Sequence, residues 1–161
     1  MSRAFVKEDG PQPDEDPPEK PVSPLPNYVT PRGLRALSAA EDALASRLRV
    51  LTGAQADPDR RRLKRALERD LRYVRARLKT AILVDAASVP QDEVRFGARV
   101  VVRRDDGTER TLAIVGEDEA QEGGELAPWS GPFVQALFGL KAGQALEWDG
   151  ERWTVVSIGY D

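Results

Sequence analysis

The chain has 161 residues, enough for one ordinary domain or two small ones, with 40% hydrophobic and 32% charged residues, a charge share that long exposed helices would account for. It has no cysteine and no histidine, which excludes disulfides, thiolate chemistry, Cys/His zinc sites and a Ser-His-Asp triad, and leaves carboxylates as the remaining class of metal ligand. The net charge of −3 is segregated: ten Lys or Arg face three acids over residues 59–79, and fourteen acids face seven bases over residues 86–161, a pattern that suggests two separate partner surfaces.

Residues 1–27 are acidic and hold Pro11, Pro13, Pro17, Pro18, Pro21, Pro24 and Pro26. Such a stretch buries too little apolar surface to offset its chain entropy, so a disordered, partly extended tail is expected. Ser2-Arg3-Ala4-Phe5-Val6-Lys7 at its start reads either as a docking peptide or as a frayed terminus. There is no apolar core for a signal peptide and no run near the ~20 residues that cross a bilayer, so a cytoplasmic protein without membrane contact is expected.

Thr30-Pro31 marks a helix start, threonine capping the free N–H groups and proline fitting the first helical position. Leu34, Leu37, Leu44, Leu48 and Leu51 then form one apolar seam, interrupted by Glu41. Gly53 ends this helix, and Asp57-Pro58 restarts a second one. Leu63, Leu67, Leu71, Val74, Leu78 and Ala81 make the facing seam. Two seamed helices joined by a short turn predict an antiparallel coiled-coil hairpin over residues 28–85 that projects into solvent.

Residues 86–95 read as a linker, after which the period changes to two. Val100, Val101 and Val102 start a strand, Asp105-Asp106-Gly107 turns it, and residues 111–115 return. Glu117, Asp118, Glu119, Glu122 and Glu125 fit no calcium-binding spacing and read as a solvated acidic loop. Ser130 is expected to cap a short helix whose Phe133, Val134, Leu137 and Phe138 face a sheet, and residues 146–158 to add another hairpin. Gly139-Leu140-Lys141-Ala142-Gly143 lacks the P-loop arrangement and reads as a turn. The predicted class is α+β, a helical hairpin followed by a small antiparallel sheet with one helix. Trp129, Trp148 and Trp153 are expected to supply much of its burial.

Phe96-Gly97-Ala98, Ile114-Val115-Gly116, Asp118-Glu119-Ala120, Ala136-Leu137-Phe138-Gly139, Lys141-Ala142-Gly143 and Ile158-Gly159-Tyr160, in that order and spacing, resemble the C-terminal domain of bacterial Gre-type transcript cleavage factors. Tyr28-Val29-Thr30-Pro31-Arg32-Gly33-Leu34 resembles the start of that family's first helix. The resemblance implies an FKBP-like fold for residues 96–161, docking on the rim of the RNA polymerase secondary channel, and a hairpin that reaches the catalytic centre. It implies a transcription elongation factor that is not itself an enzyme and is expected to be monomeric. It has no cofactor of its own, and any RNA cleavage would use polymerase-bound magnesium. Phe133, Ala136, Leu137, Phe138, Gly139, Lys141 and Gly143 are the expected docking residues.

The family's acidic tip pattern, Gly-Asp-x-Ser-Glu-Asn-Ala, is absent, since the matching stretch is Leu51-Thr52-Gly53-Ala54-Gln55-Ala56. Metal-assisted phosphodiester chemistry needs anionic oxygen ligands that these residues cannot supply. Asp57 and Asp59 are the nearest acids. They read either as shifted substitutes or as a helix cap and a first-turn acid, and the second reading is preferred. Cleavage stimulation is therefore expected to be weak or lost.

Arg60, Arg61, Arg62, Lys64, Arg65, Arg69 and Arg72, with Arg75, Arg77 and Lys79 beyond them, are expected to wrap the side away from the seam as a surface for nascent RNA or DNA or for acidic polymerase walls. Two rival functions stay open: an inhibitory regulator that occupies the channel, and a basic nucleic-acid-binding hairpin unrelated to polymerase.

Overall fold

A computed structural model describes residues 16–51 and 57–160. The peptide at residues 2–7 and the turn at residues 52–56 lie outside the described residues. Strand β1 (Tyr28–Val29) leads into helix α1 (Pro31–Val50), and helix α2 (Pro58–Thr80) leads out into strand β2 (Ile82–Leu83). At ~1.5 Å per residue the two helices are roughly 30 and 35 Å long.

Both helices start as their sequences dictate. The Thr30 hydroxyl accepts from the Gly33 amide at 2.9 Å, Asp57 Oδ1 accepts from the Asp59 amide at 2.9 Å, and proline follows each cap. The seams pack against each other most closely near the base. Leu37, Leu67, Leu71 and Val74 are buried, whereas Leu63 toward the tip is 42% exposed. Glu41, which interrupts the first seam, accepts from Nε of Arg75 on α2 at 2.8 Å. A charge in the seam thus becomes a cross-helix pair at the hairpin's edge.

β1 and β2 pair in parallel, Tyr28 with Ile82 and Val29 with Leu83, and close the base. Asn27, 4% exposed, donates from Nδ2 to the Arg77 carbonyl at 2.7 Å and to Thr80 Oγ1 at 3.2 Å. It thereby satisfies a carbonyl in the last turn of α2, where intrahelical donors run out.

The second part is a five-stranded sheet in the order β5-β4-β3-β7-β6. Its strands are β3 (Ala98–Arg104), β4 (Glu109–Val115), β5 (Leu126–Pro128), β6 (Ala145–Trp148) and β7 (Glu151–Tyr160), with helix α3 (Pro132–Leu137) against it. The sheet is mixed rather than purely antiparallel, because β5 pairs in parallel with β4. The loop between them doubles back far enough for Leu126 to lie beside Ala113, so that β5 runs parallel to the last three residues of β4. The turn joining β6 to β7 uses Asp149 (φ 53°) and Gly150 (φ 75°), the left-handed pair that a tight two-residue hairpin requires.

Ala98, Val100, Val102, Leu112, Ile114, Val134, Leu137, Trp153 and Val155 form the core. Of the three tryptophans only Trp153 is buried; Trp129 and Trp148 pack on the margin. Aliphatic side chains together with the Trp153 indole fill the centre.

Three further expectations are corrected. Ser130 does not cap α3: the cap position is Gly131, and the Ser130 hydroxyl donates to Glu117 Oε1 at 3.0 Å. Val94, in the expected linker, is fully buried in the sheet's core, and its amide donates to the Leu140 carbonyl at 2.8 Å. Residues 16–26 form no regular secondary structure, yet they are not a detached tail: they run beside α2 in ionic contact with it.

Candidate functional site: a clasped hairpin on a sheet domain

The loop after β4 fastens the hairpin. Asp118 Oδ2 accepts from Nε of Arg77 at 2.5 Å, and its Oδ1 accepts from the Tyr73 hydroxyl at 2.5 Å. Glu119 Oε2 accepts from the Thr30 hydroxyl at 2.6 Å. One acid therefore holds the end of α2 and its neighbour holds the start of α1, where a carboxylate also suits the helix dipole. Glu117 lies 3.6 Å from Nη2 of Arg77. Burial and the bond to Asp118 push the Tyr73 phenol up to about 12.

Of the acids expected to be solvated, Glu122 and Glu125 are exposed, whereas the side chains of Asp118 and Glu119 are turned inward, 15% and 8% exposed. Arg77, expected on the outer basic surface, is 1% exposed. The sequence held a signal for this. Arg77 lies three residues after Val74 and four before Ala81, on the buried face, where a cation needs an acid from elsewhere in the chain.

The approach is tight at Gly116. A Cβ there would lie 2.5 Å from the Tyr28 carbonyl oxygen. The Tyr28 ring in turn sits edge-on to Trp129, with centroids 5.0 Å apart. The base of the hairpin therefore packs on the sheet through backbone as well as side chains.

At the far end, Asp57 caps α2, and both it and Asp59 lie within 4 Å of helix arginines, Asp57 to Arg60 at 3.8 Å and Asp59 to Arg62 at 3.6 Å. Along α2, Lys64 meets Glu68 at 3.7 Å, and Arg69 meets Asp70 at 2.8 Å. Arg65 and Arg72 face acids of the N-terminal segment, and Arg61 also has a partner.

The expected docking residues divide by exposure. Leu137 is fully buried and belongs to the core, so it is withdrawn as a contact residue. Phe133 is half-buried, stacked edge-on against Trp148 and Trp153. Phe138 and Gly139 are half-buried, and the Gly139 amide donates to Val94. Ala136, Lys141 and Gly143 are exposed. The ammonium of Lys141 lies 2.6 Å from Asp92, and the Gly143 amide donates to the Val155 carbonyl at 2.7 Å.

The family model described as "Transcription elongation factor, GreA/GreB, C-term" matches residues 89–160. Transcription elongation factor GreB of Neisseria meningitidis is 32% identical over 132 residues, 73% of this chain and 81% of its own length. The chain belongs to the GreA/GreB family of transcription elongation factors. GreA of Alkalilimnicola ehrlichii is 35% identical over 100 residues, 58% of this chain and 63% of that one. The solved GreA/GreB factor of Nitrosomonas europaea is 22% identical, covers 83% of this chain and 98% of its own, and superimposes with a TM-score of 0.41.

Proposed function

We propose that this Gre-family chain binds bacterial RNA polymerase at its secondary channel, with residues 96–160 on the rim and the hairpin 31–82 directed toward the catalytic centre. On this reading it is not an enzyme itself and works in the cytoplasm. Any hydrolysis of backtracked RNA would be carried out by the polymerase with its own magnesium. The exposed edge at Ala136, Lys141 and Gly143 is the part of the expected docking surface that is free to touch a partner.

The observation that carries the reading of outcome is chemical. No carboxylate occurs between Leu51 and Ala56, and the first acid beyond, Asp57, is spent on capping α2. A tip without anionic oxygens cannot help hold a second metal ion. Cleavage stimulation is therefore weak or absent, and the chain modulates elongation mainly by occupying the channel. The same missing acids favour a second reading, an inhibitor that excludes cleavage-competent factors.

Co-purification with core polymerase, followed by incubation with stalled complexes, tests both. Retention with shortened RNA products would refute the loss of cleavage. Retention with slowed synthesis and no new products supports the inhibitory form. Failure to bind core polymerase would overturn the proposal as a whole.

A further inference from the structure

The segment before the hairpin carries charges that each meet an opposite charge on the helix beside it. Asp16 lies 3.4 Å from Arg65, Glu19 accepts from Nε and Nη2 of Arg72, and Lys20 lies 3.0 Å from Asp70. Two acids and a base thus meet two bases and an acid. The Lys20 ammonium also sits over the Tyr73 ring, 5.8 Å from its centroid. Lengths agree as well: Asp16 to Glu19 spans about 10 Å of extended chain, and Arg65 to Arg72 spans about 10 Å of helix. Matching in sign at three pairs, and in spacing between the two acids and their arginines, marks a specific docked strap rather than a tail resting by chance.

The strap is held by charge more than by burial. Its larger apolar residues, Val22 and Leu25, remain 46% and 44% exposed. Pro17, Pro18, Pro21, Pro24 and Pro26 pre-extend the chain and reduce the conformational freedom it must lose on docking. Only at Asn27 does the segment become firmly anchored in the fold. Exposed ion pairs of this kind are individually weak and screened by salt. A polyanion that engages several guanidinium groups at once, releasing counterions, displaces them.

We propose that residues 16–26 are an intramolecular competitor covering a single-stranded RNA-binding face of α2 formed by Arg65, Arg69, Arg72 and Tyr73. The carboxylates of Asp16 and Glu19 hold the positions that backbone phosphates take when the strap is displaced. The Tyr73 ring, already covered by a cation, then offers a stacking surface. The inference rests on the reading that the basic side of α2 meets nucleic acid. It adds that this chain regulates that contact itself.

The test uses the full chain with Asp16→Asn and Glu19→Gln, and reads binding to a labelled single-stranded RNA oligomer by fluorescence anisotropy. Neutralising two exposed pairs should tighten binding about three- to tenfold at low salt. The gain should vanish at high salt and in a background carrying Arg65→Gln and Arg72→Gln. Unchanged or weaker binding, including no binding by either protein, overturns the proposal. So does a gain toward polyglutamate without one toward RNA. Co-purification with core polymerase, measured separately on both proteins, reports on polymerase docking and leaves the competition result standing either way.

Discussion

Arg77 and Asp118, 41 residues apart in sequence, meet at 2.5 Å and join the last turns of α2 to the loop after β4. With Tyr73 on the second oxygen of Asp118 and Thr30 on Glu119, they make the hairpin and the sheet one mechanical piece. A finger that is to reach into a channel must transmit the orientation of its anchor, and this cluster is where that orientation is set.

Removing one partner of a buried pair leaves the other charge poorly compensated. Arg77→Met should destabilise the fold by about 3 kcal/mol in chemical denaturation. Arg75→Met, which breaks only the exposed cross-helix pair with Glu41, should cost at most about 1 kcal/mol. Equal costs for the two would show that Arg77 is not holding the domains together.

Gly116→Ala should loosen the base. Its Cβ would stand 2.5 Å from the Tyr28 carbonyl oxygen, a backbone atom with little freedom to retreat. A loss of about 1–3 kcal/mol is expected, together with greater amide exchange at residues 28–30. Unchanged exchange there would count against the close approach.

The Tyr73 phenol has a folded-state pKa raised from 10.0 to about 12. A raised pKa means that the clasp stabilises the protonated form. That contribution is complete below pH 10 and is lost as pH climbs toward 12. Spectrophotometric titration should show a late tyrosinate step that disappears in Tyr73→Phe. A Tyr73 that ionised near 10 would count against its burial and its bond to Asp118 together.

Leu137 and Lys141 should separate stability from docking. Leu137→Ala opens a cavity in the core and should cost about 2–5 kcal/mol. Lys141→Glu alters an exposed side chain and should leave the melting temperature nearly unchanged while weakening retention on core polymerase. If Lys141→Glu bound as well as the parent, this edge would not be the docking surface.

Asp57→Ala should cost roughly 1 kcal/mol through loss of the α2 cap. If the acids at the start of α2 are structural, Asp57→Ala with Asp59→Ala should leave the yield of polymerase-dependent RNA cleavage, whatever its level, as it was. A drop in that yield would make them substitutes for the absent tip acids.

Much of the architecture was legible because it is encoded in neighbouring residues. Thr30-Pro31 and Asp57-Pro58 start helices through bonds within one turn, and the leucine seams repeat at the helical period. Asp105-Asp106-Gly107 and Asp149-Gly150 turn strands by their own backbone preferences. The site was less legible. Arg77 reads as one more residue of the basic surface unless its spacing from Val74 and Ala81 is weighed, and Glu117 to Glu119 read as part of an acidic loop until the fold brings them to Arg77. Leu137 lies in the motif that the resemblance assigns to docking, and its side chain belongs to the core.

What the chain order determined by itself was a pair of seamed helices, a small sheet behind them, and a tip between Leu51 and Ala56 without a carboxylate. These follow from local periodicity and from the plain presence or absence of an ionisable group. Tertiary structure alone decided which acids meet Arg77, that Asp118 and Glu119 grip the two arms of the hairpin at its base, and that Asp16 and Glu19 lie on α2. Each of these needs groups dozens of residues apart to meet, and such meetings depend on how the whole chain closes rather than on any short run of residues.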